Sequence, residues 1–323
     1  MKQEKIILAG GSGFIGQSIA NYFCDENHII ILSRHADGEK TNRVGSQDPL
    51  PNTRSVYWNG KEAGSWSKEL EGASLVINLA GKTINCRYTE KNKKEILESR
   101  VQATQAIGEA IKQCKIPPKL WINASAATLY ANAEIHPKDE YEKEYGNDFA
   151  ARVCKEWEAA FFAQATPNTR KIAMRQGLAL GKGGLLAPYL NLVKLGLGGT
   201  QGNGRQMYSW IHIEDCNRII EWLFKEKEVE GPINFCSPFP VSNKIFMQAL
   251  RNATGNSIGL PAYAWMIKIG SYLMGTEPEL ALNSRWVLPT RLIEMGFRFK
   301  YPYIEEAFNN IIKQYPKKAY RLF

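Results

Sequence analysis

The chain has 323 residues, a formal net charge of +9 and an apolar fraction of 44%. That length accommodates one large α/β domain with an appendage, or two domains, and the apolar fraction supplies a full core, which excludes a disordered or collagen-like chain. The basic balance admits nucleic acid, a membrane surface or small anionic ligands, but no helix-turn-helix, RNA-binding or zinc-finger spacing accompanies it, so nucleic acid is set aside.

Residues 5–9 form a short apolar run that leads into Gly10-Gly11-Ser12-Gly13-Phe14-Ile15-Gly16 and then a helix-like stretch at 17–25. The order is strand, glycine turn, helix. Gly10 permits the sharp turn, Gly13 lets a pyrophosphate approach the backbone, and Gly16 lets the helix lie close on the sheet. The free N–H groups of the helix start, reached by Ser12, Phe14 and Ile15, suit phosphate oxygens. Further apolar, β-branched runs at 28–33, 55–58, 75–79, 120–124 and 171–174 alternate with helical patterns at 66–71, 90–114 and 149–164. Such alternation predicts a doubly wound parallel sheet with helices on both faces, a Rossmann-like α/β fold.

The end of the second strand distinguishes the two nicotinamide dinucleotides: an acid there binds the ribose 2′-OH, an arginine the 2′-phosphate. Here the strand ends in Ser33-Arg34 with no acid before Asp37, which predicts NADP(H). Trp58, at the end of the third strand, serves either as a platform for the adenine edge or as a core tryptophan. Leu79-Ala80-Gly81 closes the fourth strand with small residues that let backbone pass near the ribose and nicotinamide.

After about residue 175 the alternation breaks into Gly-rich turns at 181–184 and 198–204, one more strand-like segment at 231–235, and a mainly helical remainder from 240. Residues 1–175, completed by roughly 211–236, are expected to bind the nucleotide, while 176–210 and 237–323 form a smaller, mostly helical substrate lobe. The apolar, aromatic stretch 259–275 is broken by Lys268 and falls short of the ~20 residues a membrane span needs. It reads as a helix covering a cleft or a partner surface. Six scattered cysteines show neither a C-x-x-C pair nor metal-ligand spacing. Without a signal-peptide pattern they predict reduced thiols in a cytoplasmic protein that holds no metal.

With these residues in place, the chain resembles the extended short-chain dehydrogenase/reductase superfamily. It is most similar to the atypical epimerase-family branch whose C-terminal segment is a domain of unknown function. Beyond the glycine turn and Ser33-Arg34, the resemblance rests on residues 76–81, Glu98-Ser99-Arg100 with Thr104, residues 124–126, 153–158, 175–181, 209–215 and 231–234, and Leu288-Pro289 with Gly296-Phe297. It implies a sheet of about seven strands, a substrate-side loop at 202–206, and a return to the sheet through 210–215. The expected partner is a small, anionic substrate, with a homodimer as the possible assembly.

The resemblance also exposes a departure. Hydride transfer in this superfamily uses a Tyr, its pKa lowered from ~10 by a Lys four residues later, with a Ser holding the substrate oxygen. Phe149 and Val153 stand at the Tyr and Lys positions, and Ala126 stands four residues before Tyr130, where the Ser belongs. The literal pair Tyr57 and Lys61 belongs to another strand. Ser125 and Tyr130 are the candidate catalytic substitutes. Arg100, counted with the cofactor-binding residues and standing in place of an Asn behind the nicotinamide, either binds an anionic substrate or pairs with Glu158; Cys154 and His212 read as structural. Two functions follow: an NADP(H)-dependent oxidoreductase or epimerase acting on a small carbonyl, hydroxyl or nucleotide-sugar substrate, or a non-catalytic NADPH-binding sensor or regulator. A sensor would fill the nicotinamide face with Phe149, Trp210 and residues 263–273.

Overall fold

The computed structural model describes residues 1–34 and 50–321. Seven parallel strands form one sheet: β1 (Lys5–Ala9), β2 (His28–Ser33), β3 (Thr53–Tyr57), β4 (Leu75–Asn78), β5 (Leu120–Ala126) and β6 (Arg170–Gln176), joined by the late strand Gly231–Phe235. Their spatial order is β3-β2-β1-β4-β5-β6 with Gly231–Phe235 outermost beside β6. The order reverses between β1 and β4, so the crevice above the carboxyl ends of those strands is where a doubly wound fold takes its ligand.

Both faces of the sheet are covered, which is why its strands read as near-continuous apolar runs. Ile6, Leu8, Ile29, Ile31, Ile77, Ile122 and Met174 face α1 (Phe14–Phe23). Ile7, Ile30, Val76, Trp121 and Ala173 face the opposite layer, where α2 (Glu90–Lys112) contributes Ala103, Ile107 and Ile111. The next helix, α3 (Phe149–Phe162), packs beside α2 and sends Phe161 under Trp121, ring centroids 4.7 Å apart. The helix expected at 66–71 is instead a 3₁₀ turn, Ser65–Leu70. Six residues ahead of Gly72 (φ 67°) are too few to repay α-helix nucleation, and the turn serves to drop Trp66 and Leu70 into the core.

Past β6 the chain leaves the sheet. Strand β7 (Leu178–Leu180), helix α4 (Leu186–Lys194), strands β8 (Met207–Tyr208) and β9 (Trp210–His212), and helix α5 (Ile213–Lys225) come in turn before the late strand, β10 (Gly231–Phe235). The 210–212 segment pairs with β7 rather than with the main sheet; α5 then packs its apolar stripe (Cys216, Ile219, Ile220, Leu223) into the same core cluster as α1. Strand β11 (Val241–Ser242) pairs with β8, and helices α6 (Asn243–Thr254), α7 (Ala264–Met274), α8 (Glu279–Leu282), α9 (Thr290–Glu294) and α10 (Ile304–Ile312) complete the chain. The lobe has its own core, in which Phe246 of α6 meets Tyr189, Tyr208 and Phe308 edge-on. Helix α7 is the exception: Trp265, Ile269, Tyr272 and Leu273 are all exposed. Among the described residues no helix is long and apolar enough to cross a membrane, and the six cysteines are free.

Candidate functional site

The glycine turn is built by contact on two sides and left open on the third. Gly10 has φ 72° and lies so close to the end of β4 that a Cβ would sit 2.7 Å from the Ala80 Cα. A Cβ on Gly16 would meet the Gly11 backbone at 2.5 Å, whereas one on Gly13 would find nothing within 4 Å. Ser12 and Gly13 are exposed, and no side chain caps the start of α1. Uncapped N–H groups beside an unfilled space are what a pyrophosphate requires, so the residues present fit a dinucleotide. Phe14 turns away from that space: its ring lies under Gly181 and Gly184, where Cβ atoms would approach it to 2.9 and 2.8 Å. Ile15 packs against the sheet core.

Ser33 closes β2 and its carbonyl accepts from the Trp58 N–H at 2.7 Å, while Arg34 is exposed just beyond. Asp37 lies outside the described residues. Trp58 is a correction to the adenine-platform alternative: it is only 2% exposed, its ring lies 4.9 Å from Trp66, and its Nε1 donates to the Glu62 carbonyl. Burial of the indole against a second tryptophan leaves no ring face for a nucleotide.

The turn at Leu79-Ala80-Gly81 is held from below. Asn78 Oδ1 accepts from the Ala80 N–H at 3.1 Å, and Asn78 Nδ2 donates to Asn123 (2.7 Å) and Thr104 (3.2 Å). Trp157 Nε1 donates to the same Thr104 hydroxyl at 3.0 Å. One buried network thus ties together β4, β5, α2 and α3. Arg100, from α2, presses on Gly81, where a Cβ would come within 3.1 Å of the guanidinium carbon. Its Nη1 donates to the carbonyls of Lys82 and Ile96, both at 2.9 Å, and its guanidinium lies 5.1 Å from the Trp157 ring.

At the reaction edge, Phe149 is the first residue of α3, capped by Asp148, whose carboxylate accepts from the Ala151 N–H at 2.8 Å. Val153, one turn on, is 4% exposed. Tyr88 meets Phe149 edge-on at 4.9 Å, and burial pushes its hydroxyl up to about 12. Neither Phe149 nor Val153 can move a proton. Ser125 is buried and its Oγ donates to Glu158 Oε1 at 2.6 Å. Tyr130 is fully buried, donates to Asn234 Oδ1 at 2.9 Å and accepts from Arg175 Nη1 at 2.7 Å; burial holds its pKa above the ordinary tyrosine value. Both hydroxyls expected to substitute for the missing acid and base are therefore committed to partners inside the protein.

Glu158 pairs with Arg175 rather than with Arg100. Arg175 Nε and Nη2 lie 2.9 and 2.8 Å from its two oxygens, and Nη2 also donates to the Tyr145 hydroxyl at 3.1 Å. Burial opposes charge on Arg175, yet the bonds and charge of Glu158 outweigh it and hold the guanidinium protonated. Glu140, its carboxyl pushed up by burial, accepts from the Asn234 N–H at 2.8 Å and continues the network to β10. Cys154 is buried, its thiol pushed up by burial, with Thr128 at 3.5 Å. His212 Nδ1 accepts from the Glu214 N–H and so caps α5. Trp210 is fully buried, bonded to the Phe239 carbonyl and packed in the core of the lobe. In the 263–273 segment, the Tyr272 ring lies 4.4 Å from the Arg87 guanidinium, which also donates to the Tyr272 carbonyl at 3.0 Å.

Sequence reasoning missed Asn123, Tyr145, Asn234 and the Glu158–Arg175 pair as a unit. The available signal was a polar residue placed near the carboxyl end of each of several apolar strands: Asn78, Asn123, Arg175 and Asn234.

A seven-stranded parallel sheet of this order with an open glycine turn defines a Rossmann-like protein of the extended short-chain dehydrogenase/reductase type. The NAD dependent epimerase/dehydratase family model matches residues 6–236, so the chain belongs to that family, and a model described as a domain of unknown function (DUF1731) matches 264–311. The chain is 32% identical over 317 residues to Epimerase family protein SA0724 of Staphylococcus aureus (strain N315), covering 96% of this chain and 100% of the relative. It is 30% identical over 315 residues to the chloroplastic SDR39U1 homolog of Arabidopsis thaliana, covering 96% and 87%. Among solved structures it resembles human epimerase family protein SDR39U1 with NADPH, at TM-score 0.81 and 26% identity, covering 96% and 99%. It shares its fold, at TM-score 0.75 and 16% identity, with a UDP-N-acetylglucosamine 4-epimerase of Methanobrevibacter ruminantium, covering 97% and 98%.

Proposed function

We propose that the chain is an NADP(H)-binding oxidoreductase or epimerase-like enzyme that acts on a small, anionic carbonyl or hydroxyl compound without the Tyr and Lys pair of its superfamily. The observation that carries the cofactor half of this reading is the junction of an open glycine turn with Ser33-Arg34 at the end of β2. A serine hydroxyl and a guanidinium suit a 2′-phosphate and offer nothing selective to a bare ribose. The NADPH in the human relative supports the same choice. A bound nicotinamide would supply hydride transfer. The chain's own residues bind and orient it: Gly10 to Gly16 hold the phosphates, Arg34 selects the 2′-phosphate, and Leu79 to Gly81, braced by Asn78, form the floor beside the ribose.

Fluorescence titration of the purified protein with NADPH and NADH tests this reading. NADPH is expected to bind at least about tenfold more tightly than NADH, and Arg34→Glu to abolish the preference, as the loss of a charge-assisted bond to phosphate requires. Equal affinity for the two nucleotides in the parent protein would remove the NADP(H) assignment.

A second reading, a sensor that binds NADPH without turnover, is favoured by one observation. The positions where proton transfer is expected hold the apolar Phe149 and Val153, with Tyr88 kept neutral by burial against the former. Prolonged incubation with NADP⁺ and a panel of small hydroxy acids separates the two: reduction to NADPH for any member supports the enzyme.

A further inference from the structure

Helix α7 is apolar yet almost uncovered. Its one charged residue is Lys268, and among its described side chains only Ser271 is buried. A helix of this composition normally buries a full apolar stripe. At 3.6 residues per turn, Ile267, Gly270 and Ser271 share the side that meets the protein, while Trp265, Ile269, Tyr272 and Leu273 share the side turned away from it. Their spacing, i, i+4, i+7 and i+8, is the seam that one helix offers to another.

The stripe is fixed at both ends. On the way into α7, the Leu260 N–H donates to the Gly196 carbonyl at 2.8 Å and the Ala262 N–H to the Thr200 carbonyl at 2.9 Å. At its exit, Arg87 donates to the Tyr272 carbonyl at 3.0 Å and the Tyr88 N–H to the Glu277 carboxylate at 2.7 Å. A face held in this way has little ordering left to lose on docking. Its size suits a protein surface. Trp265 (62% exposed), Ile269 (53%), Tyr272 (71%) and Leu273 (79%) continue from the exposed Ile258, Leu260 and Tyr263. Together these side chains leave about 800 Å² open, the area that one partner contributes to a standard interface.

We propose that this face binds a second copy of the chain, α7 against α7, across a two-fold axis at Ile269. An antiparallel pair centred there sets Trp265 of one protomer against Leu273 of its partner, and Met266 against Tyr272, so each large ring meets a smaller, flexible side chain. It sets Lys268 opposite Gly270, where a Cβ would meet nothing within 4 Å, rather than opposite the second lysine. The patch is therefore self-complementary, as a closed dimer requires. A lipid surface calls instead for a helix with a basic polar face, and α7 carries a single lysine.

Sedimentation velocity on the full-length protein at micromolar concentration tests the proposal. The parent is expected to sediment at twice the protomer mass of 36.4 kDa. Trp265→Glu and Leu273→Glu should each raise the dimer Kd at least about a hundredfold, whereas Ile116→Glu, at an exposed position ahead of β5, should leave it unchanged. A monomeric parent, or a dimer that survives both α7 variants, overturns the proposal. A monomeric parent that floats with phosphatidylglycerol vesicles, and ceases to in Trp265→Glu, would assign the face to lipid and overturn it too. If the glutamate variants do not fold, Ile269→Cys decides. Mild oxidation should link two copies of Ile269→Cys far faster than two copies of Ile116→Cys, and equal rates refute the two-fold at Ile269.

Discussion

The glycine turn and the β5–α3 edge lie on the same rim of one sheet and are built in opposite ways. The turn recognises with backbone: what matters at Gly10, Gly13 and Gly16 is the absence of side chains, and Gly13 faces open space. The β5–α3 edge is built from side chains, and they are spent on one another: Ser125, Glu158, Arg175, Tyr130, Tyr145 and Asn234 form a closed chain of bonds. The contrast teaches that nucleotide binding and proton transfer are separable properties of this fold. The backbone geometry of the first is present, while Phe149 and Val153 stand where the Tyr and Lys of the second would be.

If the edge is structural, breaking it should cost stability. Glu158→Ala leaves the Arg175 guanidinium buried and unpaired and is expected to lower unfolding free energy by about 3–5 kcal/mol, measured by urea denaturation. A loss below about 1 kcal/mol would mean the pair is solvated and the edge open. The turn should respond in the opposite sense. Gly13→Val meets no protein atom, so stability is expected to stay within about 1 kcal/mol of the parent, while NADPH affinity falls about a hundredfold, equivalent to about 2.7 kcal/mol. Gly16→Val, aimed at the Gly11 backbone, is expected to unfold the turn itself. If Gly13→Val binds NADPH normally, the backbone cradle is not the phosphate site.

The smallest expected effect is at His212, which caps α5. Burial lowers its pKa, with Asp215 and Glu214 opposing and Lys300 assisting. Because the unfolded chain binds this proton more readily than the fold does, ν_U exceeds ν_N and stability rises with pH. The contribution is therefore fully present above the unfolded value of about 6.5 and is lost as pH falls below it. His212→Asn should flatten the fall in melting temperature between pH 7 and pH 5; an unchanged pH slope would show that His212 is not its source.

What the sequence made legible divides along the same line. The strand positions, the parallel sheet and the glycine turn follow from periodicity and from backbone requirements that only glycine meets, so they could be read locally. Trp58 could not, because whether a tryptophan ending a strand stacks on a ligand or on Trp66 depends on a 3₁₀ turn whose short span was read as a helix. The Arg175–Glu158 pair was also beyond local reading. It joins β6 to α3 across the chain, whereas the sequence offered only Arg100 as a partner for Glu158.

The placement of β10 has a consequence for how the chain is made. Ile233 and Phe235 share a core cluster with Ile172 and Met174 of β6, yet 54 residues of lobe, 177–230, are synthesised between the two strands. Until residue 235 has emerged from the ribosome, β6 presents an uncovered strand edge, the kind of surface that recruits foreign strands. Nascent chains stalled before that point should depend on chaperones, and those stalled after it should not.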